Sequence, residues 1–179
     1  MADETTAPGR LGLVEDFINT ADLSEPTEIL SSPAALKAWV SERGLGDLEA
    51  GPEALAKALA LREALRRLAL ANNGGPAYPV DHATLNRLAA DAQIQLRFTG
   101  SGVRLEPRAE GVDGVLGRLI VIVQAEMADG SWQRLKGCPA AGCGWAFFDR
   151  SKNHSGTWCS MKTCGNRAKA SRYRERKRG

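Results

Sequence analysis

Histidine is nearly absent from the sequence, with His82 and His154 the two in 179 residues, and the first 137 residues contain no cysteine. No nucleophile–histidine constellation can be assembled there, no glycine-rich phosphate loop follows a strand, and no metal-ligand pair stands at helical spacing. The chain is therefore not expected to be an enzyme, and His82, which follows Asp81, reads as a surface residue. Long apolar runs are also missing. The longest stretch of large apolar residues is Leu119-Ile120-Val121-Ile122-Val123, far short of the roughly 18 to 20 residues of a membrane span, so no membrane association is expected. The N-terminus, Met1-Ala2-Asp3-Glu4, is acidic and no apolar signal core follows it. A secretory reading has no support, and a cytoplasmic location is expected.

Acidic residues are scarce at one end. Residues 134–179 hold 12 Lys+Arg against 2 Asp+Glu, a balance of +10, whereas residues 1–133 hold 12 against 19, a balance of −7, and the net charge is +3. So basic a segment draws polyanions by releasing their counterions, and nucleic acid is the commonest such partner. An anionic membrane surface is the competitor, but the stretch from Arg167 to Gly179 has Tyr173 as its one bulky apolar residue and lacks the apolar face of an interfacial helix.

The acidic part reads as helices interrupted by one hairpin. Leu13, Val14, Phe17, Ile18 and Ala21 recur at helical spacing. Ser32-Pro33 caps and opens a second helix carrying Leu36, Trp39 and Val40, with Gly44 as its stop. Pro52 opens a long helix with Leu55, Leu59, Leu61, Leu65 and Leu68, ended by Asn72-Asn73-Gly74-Gly75, and Asp81 is expected to cap a shorter helix with Leu85, Leu88 and Ala92. The period then changes to two: Ile94, Leu96 and Phe98 alternate, Gly100-Ser101-Gly102 turns, and Val103 and Leu105 alternate up to Pro107, which predicts a β-hairpin. A last helix runs from Val112 to Met127, stopped at Asp129-Gly130. The expected organisation is a disordered segment over 1–11, an acidic, mainly α domain with a small β-hairpin (α+β) over 12–131, and a zinc finger with a basic helix over 132–179.

Polar residues sit beside the buried stripe of the first helix. Asp16, Asn19 and Thr20 are either bonded inside the domain, with Arg62 or Arg66 on the long helix as the natural partner, or they surround a ligand, because a desolvated unpaired polar group costs roughly 1 to 3 kcal/mol.

All four cysteines fall near the end, Cys138, Cys143, Cys159 and Cys164, spaced C-x4-C-x15-C-x4-C. Two close pairs joined by a loop suit one tetrahedral ion bound through sulfur at about 2.3 Å, and zinc is the expected ion, one per chain. Two disulfides are the rival, disfavoured in a reducing cytosol. His154 in the intervening loop reads as a solvated residue. Trp145 to Asp149 is expected to be a strand, with Thr157-Trp158 beginning its return partner. Cys164 stands at the entrance of a helix from Asn166 to about Lys177, and the whole is a treble-clef-like arrangement. Trp145, Phe147 and Trp158 read as the finger's small core.

The segments from Cys143 to Asn153 and from Trp158 to Ala170 closely resemble the bacterial CGNR zinc-finger family, named for the tetrapeptide found here as Cys164-Gly165-Asn166-Arg167. Leu13-Val-Glu-Asp16-Phe17-Ile-Asn19-Thr20 is similar to the opening motif of the ABATE domain, which precedes the finger in that family. The resemblance implies a stress-related transcription regulator of the bacterial cytoplasm, associated with the nucleoid when bound to DNA. Family members commonly carry arginines just before the Trp-Cys pair where this chain has Ser155-Gly156-Thr157, which implies weaker DNA binding. The expected partner is double-stranded DNA, contacted by Asn166, Arg167, Lys169, Arg172 and Arg176, although Asn166 and Arg167 lie close enough to the metal to be structural instead. The acidic domain would sense a small-molecule effector or form a homodimer. An RNA-binding or ribosome-associated protein and a protein-interaction scaffold with a purely structural zinc site are the competing readings.

Overall fold

The computed structural model describes residues 6–25, 27–100 and 102–178. The chain runs through helix α1 (Leu11–Ile18), a two-residue pair of strands β1 (Ala21–Asp22) and β2 (Thr27–Glu28), and helices α2 (Pro33–Glu42), α3 (Pro52–Ala71) and α4 (Pro79–Asp91). The hairpin of β3 (Ile94–Thr99) and β4 (Gly102–Pro107) and helix α5 (Gly111–Asp129) follow, and then a second hairpin, β5 (Leu135–Gly137) with β6 (Ala146–Phe148), and helix α6 (Asn166–Arg178). All three strand pairs are antiparallel. No helix among the described residues is long and apolar enough to cross a membrane.

The expected helices form where caps and spacing place them. The Ser32 hydroxyl accepts from the Ala35 N–H at 3.1 Å with Pro33 in the first turn, and Gly130 closes α5 with φ +87°, a left-handed value that glycine adopts without a Cβ penalty. α1, α3 and α5 pack their apolar stripes together, leaving Phe17, Leu61, Leu65, Leu116 and Leu119 without exposed surface to within one per cent. Full burial of such a side chain is worth roughly 1.5 to 3 kcal/mol.

Three expectations are corrected. The segment 1–11 was expected to be disordered. Residues 1–5 lie outside the described ones, but Ala7 and Leu11 are buried in the core and the Ala7 N–H is bonded to Glu15. Ala21, expected on the α1 stripe, lies in β1, because the helix ends at Ile18 and the Thr20 carbonyl turns to accept from the Ile29 N–H at 2.8 Å. Asp81 does not cap α4. Pro79 opens the helix from Tyr78, and Asp81 is drawn inward to meet Arg67 at 2.6 Å.

In the β3–β4 hairpin, Leu96 pairs with Leu105 and Phe98 with Val103, so these four share one face. Leu96, Phe98 and Val103 are 63%, 78% and 54% exposed.

The second hairpin joins the finger to the helices. β6 pairs with β5, upstream of the first cysteine, with Leu135 opposite Phe148 and Gly137 opposite Ala146. The expected return strand at Thr157-Trp158 does not form, because residues 149–157 form a loop instead. Leu135 and Ala146 are fully buried in the helical core. A Cβ on Gly137 would come within 2.6 Å of the Leu70 side chain, so only glycine lets β5 approach α3 so closely. Side chains complete the join. The Asn72 amide donates to the Trp132 and Leu135 carbonyls, and the Asn73 amide to those of Gly137 and Thr157, all at 2.8 to 2.9 Å. The Asn19 side chain both donates to and accepts from the Ala146 backbone, at 2.9 and 2.8 Å. Buried Arg66 donates to the carbonyls of Ile18, Ala21 and Gly144.

Candidate metal centre and nucleic-acid interface

The first cysteine pair sits on the turn between β5 and β6. The Cys138 N–H donates to the Trp145 carbonyl at 2.9 Å and the Cys143 N–H to that of Ala140 at 2.9 Å, which folds the intervening residues into a knuckle. Gly142 and Gly144 turn the chain with φ of +72° and +61°. The second pair is presented by a π-helical turn, Met161–Gly165, capped by the Ser160 hydroxyl on the Thr163 N–H.

The four sulfurs lie within 4.8 Å of one another, with Cys143, Cys159 and Cys164 separated by 3.7, 3.7 and 3.8 Å. A tetrahedral ion with bonds of about 2.3 Å has sulfur–sulfur edges of about 3.8 Å, so the donor set fits one such ion. Burial raises the Cys143 thiol to about 11 and pushes Cys159 up as well, and thiol neighbours add to both shifts. Burial also opposes ionisation of Cys164, but the Arg167 guanidinium, 3.1 Å from its sulfur, holds it below the usual thiol range. Three of the cysteines are buried, and packing four protonated thiols together yields little. A cation that displaces their protons converts the cluster into a cross-link between two chain segments.

The tetrapeptide is occupied locally. Cys164 is a ligand candidate. A Cβ on Gly165 would meet Met161 Sδ at 2.7 Å and Trp158 at 3.2 Å. Asn166 donates to the Lys162 carbonyl at 3.1 Å, and Arg167 addresses the Cys164 sulfur. Of the expected nucleic-acid contacts, Asn166 and Arg167 have partners within the finger, and Lys169 and Arg176 lie exposed on α6. The side chain of Arg172 lies outside the described ones. Ala168 and Ser171, half-buried, face the knuckle, and Asn166, Lys169, Tyr173, Arg176 and Lys177 follow one another on the opposite side at helical spacing. The Lys177 ammonium lies 5.1 Å from the centre of the Tyr173 ring.

The polar cluster around the first helix does not assemble as one site. Asp16 pairs with Arg43 at 2.5 Å, on a partly exposed surface, and meets neither Arg62 nor Arg66. Asn19 is spent on Ala146. Thr20 donates to the Phe17 carbonyl and accepts from Arg62, whose guanidinium grips Glu28 through two bonds of 2.6 and 2.7 Å. The nearby groups are internally satisfied.

The loop from β6 to Cys159 is held by a buried pair that the sequence reading did not single out. Lys136 Nζ donates to Asp149 Oδ2 at 2.7 Å and to the carbonyls of His154 and Gly156 at 2.6 and 2.9 Å. Burial alone would raise the Asp149 carboxyl, but Lys136 and the N–H groups of Ser151 and Gly156 hold it far below the usual carboxylate range. His154 is exposed with φ +52° and contributes its carbonyl.

The fold and site define a helical protein joined to a four-cysteine finger, and residues 134–177 match the model of the CGNR zinc finger. The chain belongs to the ABATE family, described as "Putative stress-induced transcription regulator", whose model matches residues 11–129. No curated protein matches the sequence.

Glu15, a polar residue between the apolar positions of α1, is 7% exposed. Burial, against one hydrogen bond from the Ala7 N–H and the attraction of Arg150, pushes its carboxyl up to about 7. The folded chain therefore keeps this proton to about pH 7, whereas the unfolded chain releases it near 4.5, and stability falls as pH rises between those values. Urea midpoints followed from about pH 5 to 8 are expected to fall in the wild type relative to Glu15→Gln. Parallel curves would mean that Glu15 ionises normally.

Proposed function

We propose that the protein is a DNA-binding transcriptional regulator in which one zinc ion per chain, held by Cys138, Cys143, Cys159 and Cys164, fixes the departure of α6 toward the duplex. The ion supplies cross-linking only. The order of knuckle, loop and helix supports a treble-clef reading, and the four sulfurs are already spaced for a tetrahedral ion. Elemental analysis of the full chain is expected to give one zinc per chain, lost in Cys159→Ser. Chelation should lower the melting temperature of the helices in a single transition, since β5 and β6 belong to their core. Metal-free protein of unchanged stability would end the zinc reading.

The observation that carries DNA binding is the exposed basic face of α6, starting two residues after a buried ligand candidate and displaying Lys169, Arg176 and Lys177. Arg suits bidentate contact with guanine, and Lys suits phosphate. If about five phosphates are neutralised, log affinity should fall against log salt with a slope near −4.5. Lys169→Gln should flatten that slope by about one unit without changing sequence preference. An RNA hairpin bound more tightly than a duplex at matched salt would favour the RNA reading, and binding indifferent to salt would favour the scaffold.

The reading assigns the ABATE domain a sensing or pairing role. The apolar hairpin face of Leu96, Phe98 and Val103 supports pairing of two copies, since exposed apolar patches mark interaction surfaces and a single small module covers only roughly 600 to 1,000 Å² of DNA. Sedimentation of the full chain is expected to show a dimer that Phe98→Ser converts to monomer. A monomeric wild type would exclude pairing. Cytoplasmic location follows from the same reading.

A further inference from the structure

Between α1 and the finger lies a cavity of about 410 Å³ whose lining includes Glu15, Trp145, Phe147, Phe148, Arg150 and Trp158. Its size is in the range of small-molecule sites, and its lining sets four aromatic rings beside the charged groups of Glu15, Asp149 and Arg150 and the Cys159 side chain. The polar group at its floor is unspent. Glu15 Oε2 accepts from the Ala7 N–H at 2.6 Å, and the other oxygen meets no donor among the described residues. That oxygen is not one of the sealed, unpartnered side-chain atoms, which among the described residues are Trp39 Nε1 and Asp81 Oδ2, and the guanidinium nearby is directed elsewhere. Arg150 donates instead to the Thr6 carbonyl at 2.6 Å and lies 5.6 Å from the centre of the Phe148 ring. The other carboxylate at the wall, Asp149, is fully engaged by Lys136, Ser151 and Gly156.

The aromatic walls are likewise unpaired with one another. The one ring–ring contact among the described residues is Phe17 with Trp39, in the core; Phe148 is met by the Arg134 and Arg150 guanidiniums, 5.3 and 5.6 Å from its centre, while Trp145, Phe147 and Trp158 pack on the cysteine cluster and also line the cavity. Planar rings seek offset or edge contacts worth about 0.5 to 1.5 kcal/mol beyond burial, and a flat guest would supply them. A cationic N–H edge suits this carboxyl, since it pairs with the ionised form and displaces the proton that burial otherwise retains.

We propose that this cavity is a binding site for a planar aromatic amidine or amino-substituted nitrogen heterocycle, with its ring against Trp145 and Trp158 and its N–H edge on Glu15. The proposal gives the sensing half of the proposed function a site and a ligand class, displaced from the Asp16, Asn19 and Thr20 cluster. The ligand would bridge α1 to the loop that delivers Cys159, so its binding energy would tighten the seam from which α6 emerges.

The test is direct binding to the metal-loaded full chain without DNA, so its failure is distinct from a failure to bind DNA. Benzamidine serves as the probe, with benzoate as a ring of the same size whose edge accepts instead of donating. Among the four indole N–H signals, those of Trp145 and Trp158 are expected to shift saturably with benzamidine, while those of core Trp39 and Trp132 stay in place. Benzoate should bind at least tenfold more weakly. Glu15→Gln, near-isosteric, should weaken benzamidine at least tenfold while keeping its metal content. Trp158→Phe should retain binding and Trp158→Ala lose it, with melting curves confirming that both fold. Equal binding of benzoate and benzamidine, an unaffected Glu15→Gln, or no saturation by about 20 mM probe, where affinity is negligible, would overturn the proposal.

Discussion

The seating of the β5–β6 hairpin on α3 is the contact on which the remaining structure depends. A knuckle of this size has too little apolar surface to hold its own geometry, and here it does not have to. Leu135 and Ala146 are core residues of the helical domain, Gly137 allows backbone contact with Leu70, and the paired asparagines at the end of α3 tie down four carbonyls. Cys138 and Cys143 are thereby fixed to the helices before any ion arrives. The second pair is different, since Cys159 and Cys164 hang from a loop and a π-helical turn. An ion bound by all four would tie the loop-borne pair, and α6 with it, to the pair fixed on the helices.

That asymmetry explains the distribution of charge. The basic residues of α6 repel one another, and a helix with so little buried surface draws its stability from its anchor rather than from packing. Placing the anchor at Cys164, with Arg167 on its sulfur, starts the helix at a defined point and leaves its outer face exposed. The negative charge of the thiolates and the helical domain's acidic balance stand behind it. On the proposed function, a polyanion would meet the far side of α6, away from the acidic helical domain.

Where the sequence was legible, one strong local signal ruled. The helices followed from caps and apolar spacing, the first hairpin from strict alternation around Gly100-Ser101-Gly102, and the metal-site residues from four cysteines in a chain otherwise free of them. What was not legible depended on long-range partners. Asp81 looks like a cap because Asp favours that position, but it is buried, and partly exposed Arg67 reaches it from the preceding helix. Glu15 has the spacing of a solvated residue and is covered by the finger, 130 residues away in sequence. The Asn72-Asn73 stop signal was correctly read as the end of α3, yet its amides serve a second purpose that no local pattern encodes. Lys136 and Asp149 are ordinary charges in sequence, and only the pairing of β5 with β6 brings them together.

The same pair bears on the absence of arginine from Ser155-Gly156-Thr157, where the family resemblance led one to be expected. A Cβ at position 156 would stand 2.6 Å from Asp149 Oδ1, and the Gly156 N–H and carbonyl already serve Asp149 and Lys136. An arginine there and this buried pair are incompatible without shifting the loop. Removing one partner of such a pair costs roughly 3 to 5 kcal/mol, because the other charge is left desolvated, which exceeds the roughly 1 kcal/mol expected of one exposed phosphate contact. In this chain, position 156 therefore serves the loop, and the exposed basic residues of the finger lie elsewhere, on α6 and at Arg150, Lys152 and Lys162. The glycine that resembles a lost DNA contact is what allows the Cys159 segment to be held from its own interior.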